Sequence, residues 1–289
     1  MKQVKIGERI IGDNQPCWIV AEVGINHNGD IDLAKKLIDI ASIAGCNAVK
    51  FQKRTIEVVY SPEELAKPRE SPFGTTNGDL KYGLEFGAAE YDEISRYCRE
   101  KKMPWFASCW DEASVDFIDA YRPPCFKIAS ACLTDDALLR YTRAKGKPIL
   151  LSTGMSTIEQ IDHAVEILGK DDLVILHSCS TYPASYDELN LRAIGTLHAR
   201  YGVPIGYSGH ETGLASSVAA VAMGARVVER HITLERSMWG TDQAASLGPN
   251  GMLHVVRDIR LVEMSFGDGV KRVLTREEPI IKKLRRVGA

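Results

Sequence analysis

Long apolar runs are missing from this 289-residue chain. No stretch approaches the ~20 residues that a membrane-spanning helix needs. The opening Met1-Lys-Gln-Val-Lys-Ile-Gly7 has neither the apolar centre nor the small-residue cleavage site of a secretory leader. The cytoplasm is therefore the expected compartment, with no membrane partner. An excess of positive charge is missing too: 36 Lys and Arg face 38 Asp and Glu, for a formal net charge of -2. Without a basic stripe to neutralise a phosphate backbone, nucleic acid is excluded as a partner. The seven cysteines are odd in number and include no Cys-x-x-Cys pair, which argues against a disulfide framework or a structural zinc knot. Cys109, Cys132 and Cys179 fall just past expected strand ends, but soft ligands so scattered point to packing or pocket lining rather than a metal. A nucleotide-binding glycine turn is also absent, because Gly24-Ile-Asn-His-Asn-Gly29 has the wrong spacing for one.

What the chain does have is one alternation repeated eight times. At 45% hydrophobic and 26% charged residues it can bury a full core. After an N-terminal hairpin pattern within residues 1–16 (Val4-Lys-Ile-Gly, then Arg9-Ile-Ile-Gly), short β-branched or aromatic runs occur at residues 18–24, 48–52, 105–109, 126–130, 149–154, 173–178, 205–210 and 227–233. Helical spacing separates them, as in Leu33, Leu37 and Ile40 or Ile158, Ile161, Val165 and Leu168, with Gly45, Gly146, Gly169 and Gly202 as stops. This predicts an α/β fold, a (β/α)8 TIM barrel with an N-terminal β-hairpin, as a single domain over residues 1–289 with a tail at 268–289. The polar stretch at 54–87 breaks the rhythm. A loop so long, leaving the second strand at the rim, reads as a lid or acceptor-contacting loop, with plain surface insertion as the alternative.

In such a barrel the strand ends converge on one rim. His210 and His231 end neighbouring strands, so two neutral imidazoles can share one divalent metal that keeps positions open for water and substrate. Lys50 and Lys127 interrupt apolar strands, where a charge needs a partner or a task. Beside Ser108, Ser130, Ser152 and Ser208 they form an expected cradle for a phosphate or carboxylate; the competing reading is a lysine paired with a barrel carboxylate. Glu22 is the expected proton-handling group near that anion, or else a structural partner of Lys50. Alternate residues of a strand share a face, which joins His231 to Glu229, Ser208 to His210 and Lys50 to Gln52.

The runs Ala21-Glu-Val-Gly-Ile-Asn-His-Asn-Gly-Asp30, Val49-Lys-Phe-Gln-Lys53, Phe126-Lys-Ile-Ala-Ser130, Leu151-Ser-Thr-Gly-Met155, Tyr182-Pro183, Ile205-Gly-Tyr-Ser-Gly-His-Glu-Thr-Gly213 and Val228-Glu-Arg-His-Ile-Thr-Leu234 resemble the sialic acid synthases (N-acetylneuraminate synthases) from about Cys17 to the tail. That resemblance implies a transferase that condenses phosphoenolpyruvate with a sugar aldehyde to a 3-deoxy-2-keto sugar acid, releasing phosphate. It implies a phosphoenolpyruvate site from Lys50, Ser108, Lys127, Ser130, Ser152 and Ser208, with Gln52 beside it and Glu22 as the acid at the reacting carbon. It also implies a Mn2+ or Mg2+ ion on His210 and His231, and Tyr182 and Asp242 facing the acceptor.

The chain departs from the family's pattern twice. Cys132 stands where the family has an acceptor-contacting carboxylate, and the sequence ends before the small antifreeze-like domain that brings an arginine to the acceptor's acyl group. A homodimer and a separate antifreeze-like domain protein are the protein partners this leaves open. Rival readings are a same-class synthase for a non-acetylated or phosphorylated aldose, a metal-dependent hydrolase, a Schiff-base aldolase using Lys127, and a non-catalytic sugar-binding relative.

Overall fold

A computed structural model describes residues 2–288. Among the described residues twelve strands form three sheets. β1 (Val4–Ile6) and β2 (Arg9–Ile11) make the antiparallel N-terminal hairpin. Eight parallel strands close a barrel: β3 (Trp18–Gly24), β4 (Ala48–Lys53), β7 (Trp105–Cys109), β8 (Phe126–Ile128), β9 (Ile149–Ser152), β10 (Leu173–Ser178), β11 (Ile205–Gly209) and β12 (Val227–His231), with β12 pairing back onto β3. The small pair β5 (Pro68–Ser71) and β6 (Gly74–Thr76) lies in the insert after β4. The architecture is the expected (β/α)8 barrel with its N-terminal hairpin.

The helices form where apolar spacing and caps agree. Asp30 accepts hydrogen bonds from the Asp32 and Leu33 amides to start the helix Ile31–Ala44. Ala34, Leu37, Ile38 and Ala41 bury one face, and Gly45 at φ 84° stops it. A capping box of Thr157 and Gln160 opens the helix Ile158–Leu168, which packs Ile161, Ala164, Val165 and Leu168 inward.

Strand parity divides the barrel interior into two levels. Near the N-terminal ends, Trp18, Val20, Ala48, Phe106, Cys125, Leu150, Val174 and Val227 fill the lumen, and Val4, Ile6 and Ile11 of the hairpin plug its floor. Trp18 stacks on Phe106 with ring centroids 5.6 Å apart. Burying each large apolar side chain contributes about 1.5–3 kcal/mol. Two to four residues further along each strand, the same inward face becomes polar: Ala48 leads to Lys50, Phe106 to Ser108, Cys125 to Lys127, Leu150 to Ser152 and Val227 to Glu229. The floor supplies the stability that allows the upper level to hold buried charge.

The structure corrects the sequence reading in two places. Four strands stop short of their expected ends, β8 at Ile128, β9 at Ser152, β11 at Gly209 and β12 at His231, because the rim residues leave the ladder for loop partners. The Gly154 amide donates to Ser130 Oγ at 3.0 Å, and the His210 carbonyl accepts from the Ala184 amide at 3.1 Å. The stretch 54–87 is no loop: besides β5 and β6 it holds helices Ile56–Val59, Pro62–Leu65 and Asn77–Leu84, the last opened by a Thr76–Asp79 capping box. Phe73 at the β5–β6 turn meets Trp239 edge-on, and a Cβ on Gly83 would lie 2.1 Å from Phe73 Cγ, so glycine there lets the insert seat on the rim. In the tail, Glu278–Leu284 forms a short exposed helix.

Candidate active site

The C-terminal ends of the strands enclose a cavity of about 270 Å³. Glu22, Lys50, Gln52 and Lys127 line it together with Ser108, Ser130, Ser152 and Ser208. Tyr182, His210 and His231 complete the expected set there, and Asp242 lies just behind, its Oδ2 3.6 Å from His231 Nδ1. Eleven of the twelve expected site residues thus line one cavity and Asp242 adjoins it, whereas Cys132 and Cys109 are buried outside its lining.

At the cavity base four charges alternate. Lys127 Nζ donates to both oxygens of Glu229, at 2.8 and 2.9 Å. Lys50 Nζ stands 3.1 Å from Glu229 and 3.2 Å from Glu22. Ser208 Oγ donates to Glu229 at 3.2 Å, Gln52 Nε2 donates to Glu22 at 2.8 Å, and Arg54 donates to the side-chain Oε1 of Gln52. The lysines are therefore not free cations; each is held by a barrel carboxylate, and an arriving anion must compete for them. Burial pushes Glu22 up to about 7, against the lowering pull of Lys50. Burial would raise Glu229 likewise, but Lys127 and Lys50 outweigh it and hold that carboxyl well below the usual range. Burial pulls Lys127 down to about 8, against Glu229, whereas at Lys50 the two flanking carboxylates overcome burial and hold the ammonium above its ordinary value. Glu22 is thus the carboxyl of the ring that most readily carries a proton near neutrality.

Above this layer sit the imidazoles, with ring centroids 5.4 Å apart. Burial pulls both down to about 3, so both are neutral, the form that ligates metal. His210 Nδ1 lies 2.5 Å from the Cys179 carbonyl oxygen, which can only accept, so Nδ1 carries the hydrogen and Nε2 presents its lone pair. Tyr182 OH donates to that Nε2 at 2.8 Å. His231 Nδ1 is buried without a hydrogen-bond partner. The two rings fit a divalent ion. Two protein ligands would leave the ion's remaining positions to water and substrate.

Several residues of the site escaped the sequence reading. Glu229 shares a face with His231 and was legible only as such; Ser178, two residues beyond Leu176, follows the same period of two and lines the cavity with its hydroxyl buried and unpartnered, as Ser152 does. Trp110 forms one wall, with the Arg54 guanidinium 4.5 Å from its ring centroid. Arg230 faces outward and is fully buried, and no periodicity announces it. Its Nη1 donates to Glu211 Oε1 at 2.9 Å, to the Gly213 carbonyl at 2.8 Å and to Ser217 Oγ at 2.8 Å. Because Arg230 precedes His231 and Glu211 follows His210, this pair ties together the two strand ends that carry the imidazoles. Cys132 is a buried free thiol, and all seven cysteines are free.

Comparison with known proteins places these features among relatives. Residues 37–271 match the NeuB family. N-acetylneuraminate-9-phosphate synthase from Homo sapiens is 39% identical over 281 residues, covering 96% of this chain and 78% of that protein. N,N'-diacetyllegionaminic acid synthase from Legionella pneumophila is 34% identical over 285 residues, covering 95% and 80%. The crystal structure of N-acetylneuraminic acid (sialic acid) synthetase from Leptospira borgpetersenii, in complex with citrate, superposes with a TM-score of 0.87 at 30% identity, covering 99% of this chain and 98% of that one.

Proposed function

The chain belongs to the NeuB family of phosphoenolpyruvate-dependent nonulosonic acid synthases, and from that premise we propose that it joins phosphoenolpyruvate to the open-chain aldehyde of an N-acylated hexose of the mannosamine type. The bond forms between C3 of phosphoenolpyruvate and the aldehyde carbon. Water adds at C2, and the resulting tetrahedral centre expels phosphate by carbon–oxygen cleavage, leaving a nine-carbon 3-deoxy-2-keto acid.

Family enzymes are generally metal-dependent, and His210 Nε2 and His231 would hold a Mn2+ or Mg2+ ion whose Lewis acidity acts on the aldehyde oxygen. Lys127 and Lys50 turn from Glu229 and Glu22 toward the phosphate and carboxylate of phosphoenolpyruvate and stabilise charge as it develops. Glu22, with its proton affinity raised by burial, delivers and recovers a proton at the reacting carbons. Ser152 and Ser178, buried with unpartnered hydroxyls, donate to the anion, and Gln52 holds Glu22 in place. Tyr182 and Asp242 orient the acceptor.

The observation that carries this reading is one cavity holding two neutral imidazoles above two carboxylate-held lysines and a set of serine hydroxyls. The test is loss of phosphoenolpyruvate with release of phosphate, in the presence of manganese, across N-acetylmannosamine, its 6-phosphate, mannose and diacetamido hexoses. Failure of every acceptor to consume phosphoenolpyruvate would refute the reading. Borohydride trapping of Lys127 on a carbonyl substrate would replace it with a Schiff-base aldolase.

A further inference from the structure

The insert after β4 does more than cover the rim. With the loop after β12 it encloses a second chamber of about 280 Å³, whose wall includes Asn28, Trp239 and Thr241. Asn28 Nδ2 donates to the Trp239 carbonyl at 2.9 Å, which ties the loop after β3 to the loop after β12. Thr241 immediately precedes Asp242, so this chamber begins one residue beyond the carboxylate that stands beside His231.

Four basic side chains lie between residues 54 and 87: Arg54, Lys67, Arg69 and Lys81. Arg54 is held by Gln52, and Lys67 pairs with Glu64. Arg69 and Lys81 have no carboxylate or hydrogen-bond partner among the described residues, and Lys81 has the Tyr60 ring alone, 4.8 Å from its Nζ. These two unpaired cations are the two that line the chamber. Glu70 lines it as well, which leaves the wall net cationic. A guanidinium fork and an ammonium facing one small space suit a phosphate monoester.

Resting on the function proposed above, we infer that the acceptor carries a phosphate on its terminal carbon and that Arg69 and Lys81 bind it. With the aldehyde carbon at the imidazoles, the atom of an open-chain hexose farthest from the reaction is the oxygen on C6, and the chamber wall includes Thr241, the residue next to Asp242 in the chain. Three carbons added at the aldehyde turn hexose C6 into C9 of the product, and the human relative is named for a product phosphorylated there.

The experiment compares kcat/KM for N-acetylmannosamine 6-phosphate and for N-acetylmannosamine, following phosphoenolpyruvate loss, in the wild-type protein, Arg69→Gln, Lys81→Met and the double variant. The wild type should prefer the phosphorylated sugar. The double variant should cut that preference roughly 10- to 100-fold, through KM, as expected for two lost charge-assisted contacts. KM for phosphoenolpyruvate, read in the same assays, reports whether the catalytic cavity is intact. A wild-type preference for the unphosphorylated sugar, or a preference unmoved by the double variant, overturns this inference and leaves the synthase reading standing. Absence of phosphoenolpyruvate loss with either sugar and with the wider acceptor panel overturns both.

Discussion

Replacing Lys127 with methionine keeps side-chain volume and deletes one charge from the ring at the cavity base. In the native protein this ammonium is buried and bonds both Glu229 oxygens, at 2.8 and 2.9 Å. After the substitution Glu229 retains Lys50 at 3.1 Å and Ser208 at 3.2 Å. Removing one partner of a buried ion pair costs about 3–5 kcal/mol. Because two partners remain, the loss should fall near the lower end, about 3 kcal/mol. Adding Glu229→Gln removes the under-compensated carboxylate, so the double variant should be more stable than the sum of the singles, with a coupling of about 1–3 kcal/mol. Urea denaturation of the four proteins of the cycle, extrapolated linearly to water, measures that coupling. Steady-state kinetics provides the functional arm: KM for phosphoenolpyruvate should rise roughly 10- to 100-fold in Lys127→Met, and more than KM for the acceptor. A coupling under about 0.5 kcal/mol, or an effect confined to the acceptor, refutes the assignment of Lys127 to both the ring and the anion.

Alanine at His210 or His231 should leave the fold intact by circular dichroism while weakening manganese binding in calorimetry by at least roughly tenfold; unchanged binding in both variants removes the ion from this pair. Glu211→Gln leaves the buried Arg230 guanidinium without its carboxylate and should cost about 3–5 kcal/mol of stability, read by denaturant titration. Asp111 accepts from the Thr55 and Ser114 amides and hydroxyls. Burial would raise its pKa, but those hydrogen bonds outweigh it and depress the carboxyl below its ordinary 3.8. Its carboxylate thus stabilises the fold above pH 3.8 and loses that contribution as pH falls through the lower folded value. Asp111→Ala should therefore trail the wild type by about 1–2 kcal/mol at pH 7, with a gap that closes below about pH 4; a gap independent of pH contradicts the sign. Cys132→Asp should lower KM for the acceptor without moving that for phosphoenolpyruvate, and the reverse pattern would detach Cys132 from the acceptor side.

Much of the barrel can be read from the chain because buried parallel strands are short apolar runs, and eight of them at steady intervals leave few alternatives. The rim is legible for the same reason: a lysine after Ala48-Val or Cys125-Phe is conspicuous against its apolar neighbours. Glu229 is less so, since Val227-Val-Glu-Arg-His places three polar residues together and only parity separates the inward Glu229 from the outward Arg230. The bond between Arg230 and Glu211 joins residues on different strands, and no local pattern encodes such a pairing. The insert misleads for another reason. Its prolines and glycines look like loop, whereas its order comes from a capping box and from Phe73 docking on Trp239, a contact made across 166 residues of sequence.

The hairpin plug in the barrel floor has a kinetic meaning. With Val4, Ile6 and Ile11 filling one end, the lysines are reached from the rim, and Glu229 and Ser208 lie two residues deeper along their strands than His231 and His210. A cavity with a single doorway fixes a queue. In the proposed reaction phosphoenolpyruvate should therefore bind before the sugar, a sugar that arrives first should block the deeper site, and the keto acid should leave before the next phosphoenolpyruvate enters. An ordered mechanism with inhibition at high acceptor concentration is the signature of that traffic.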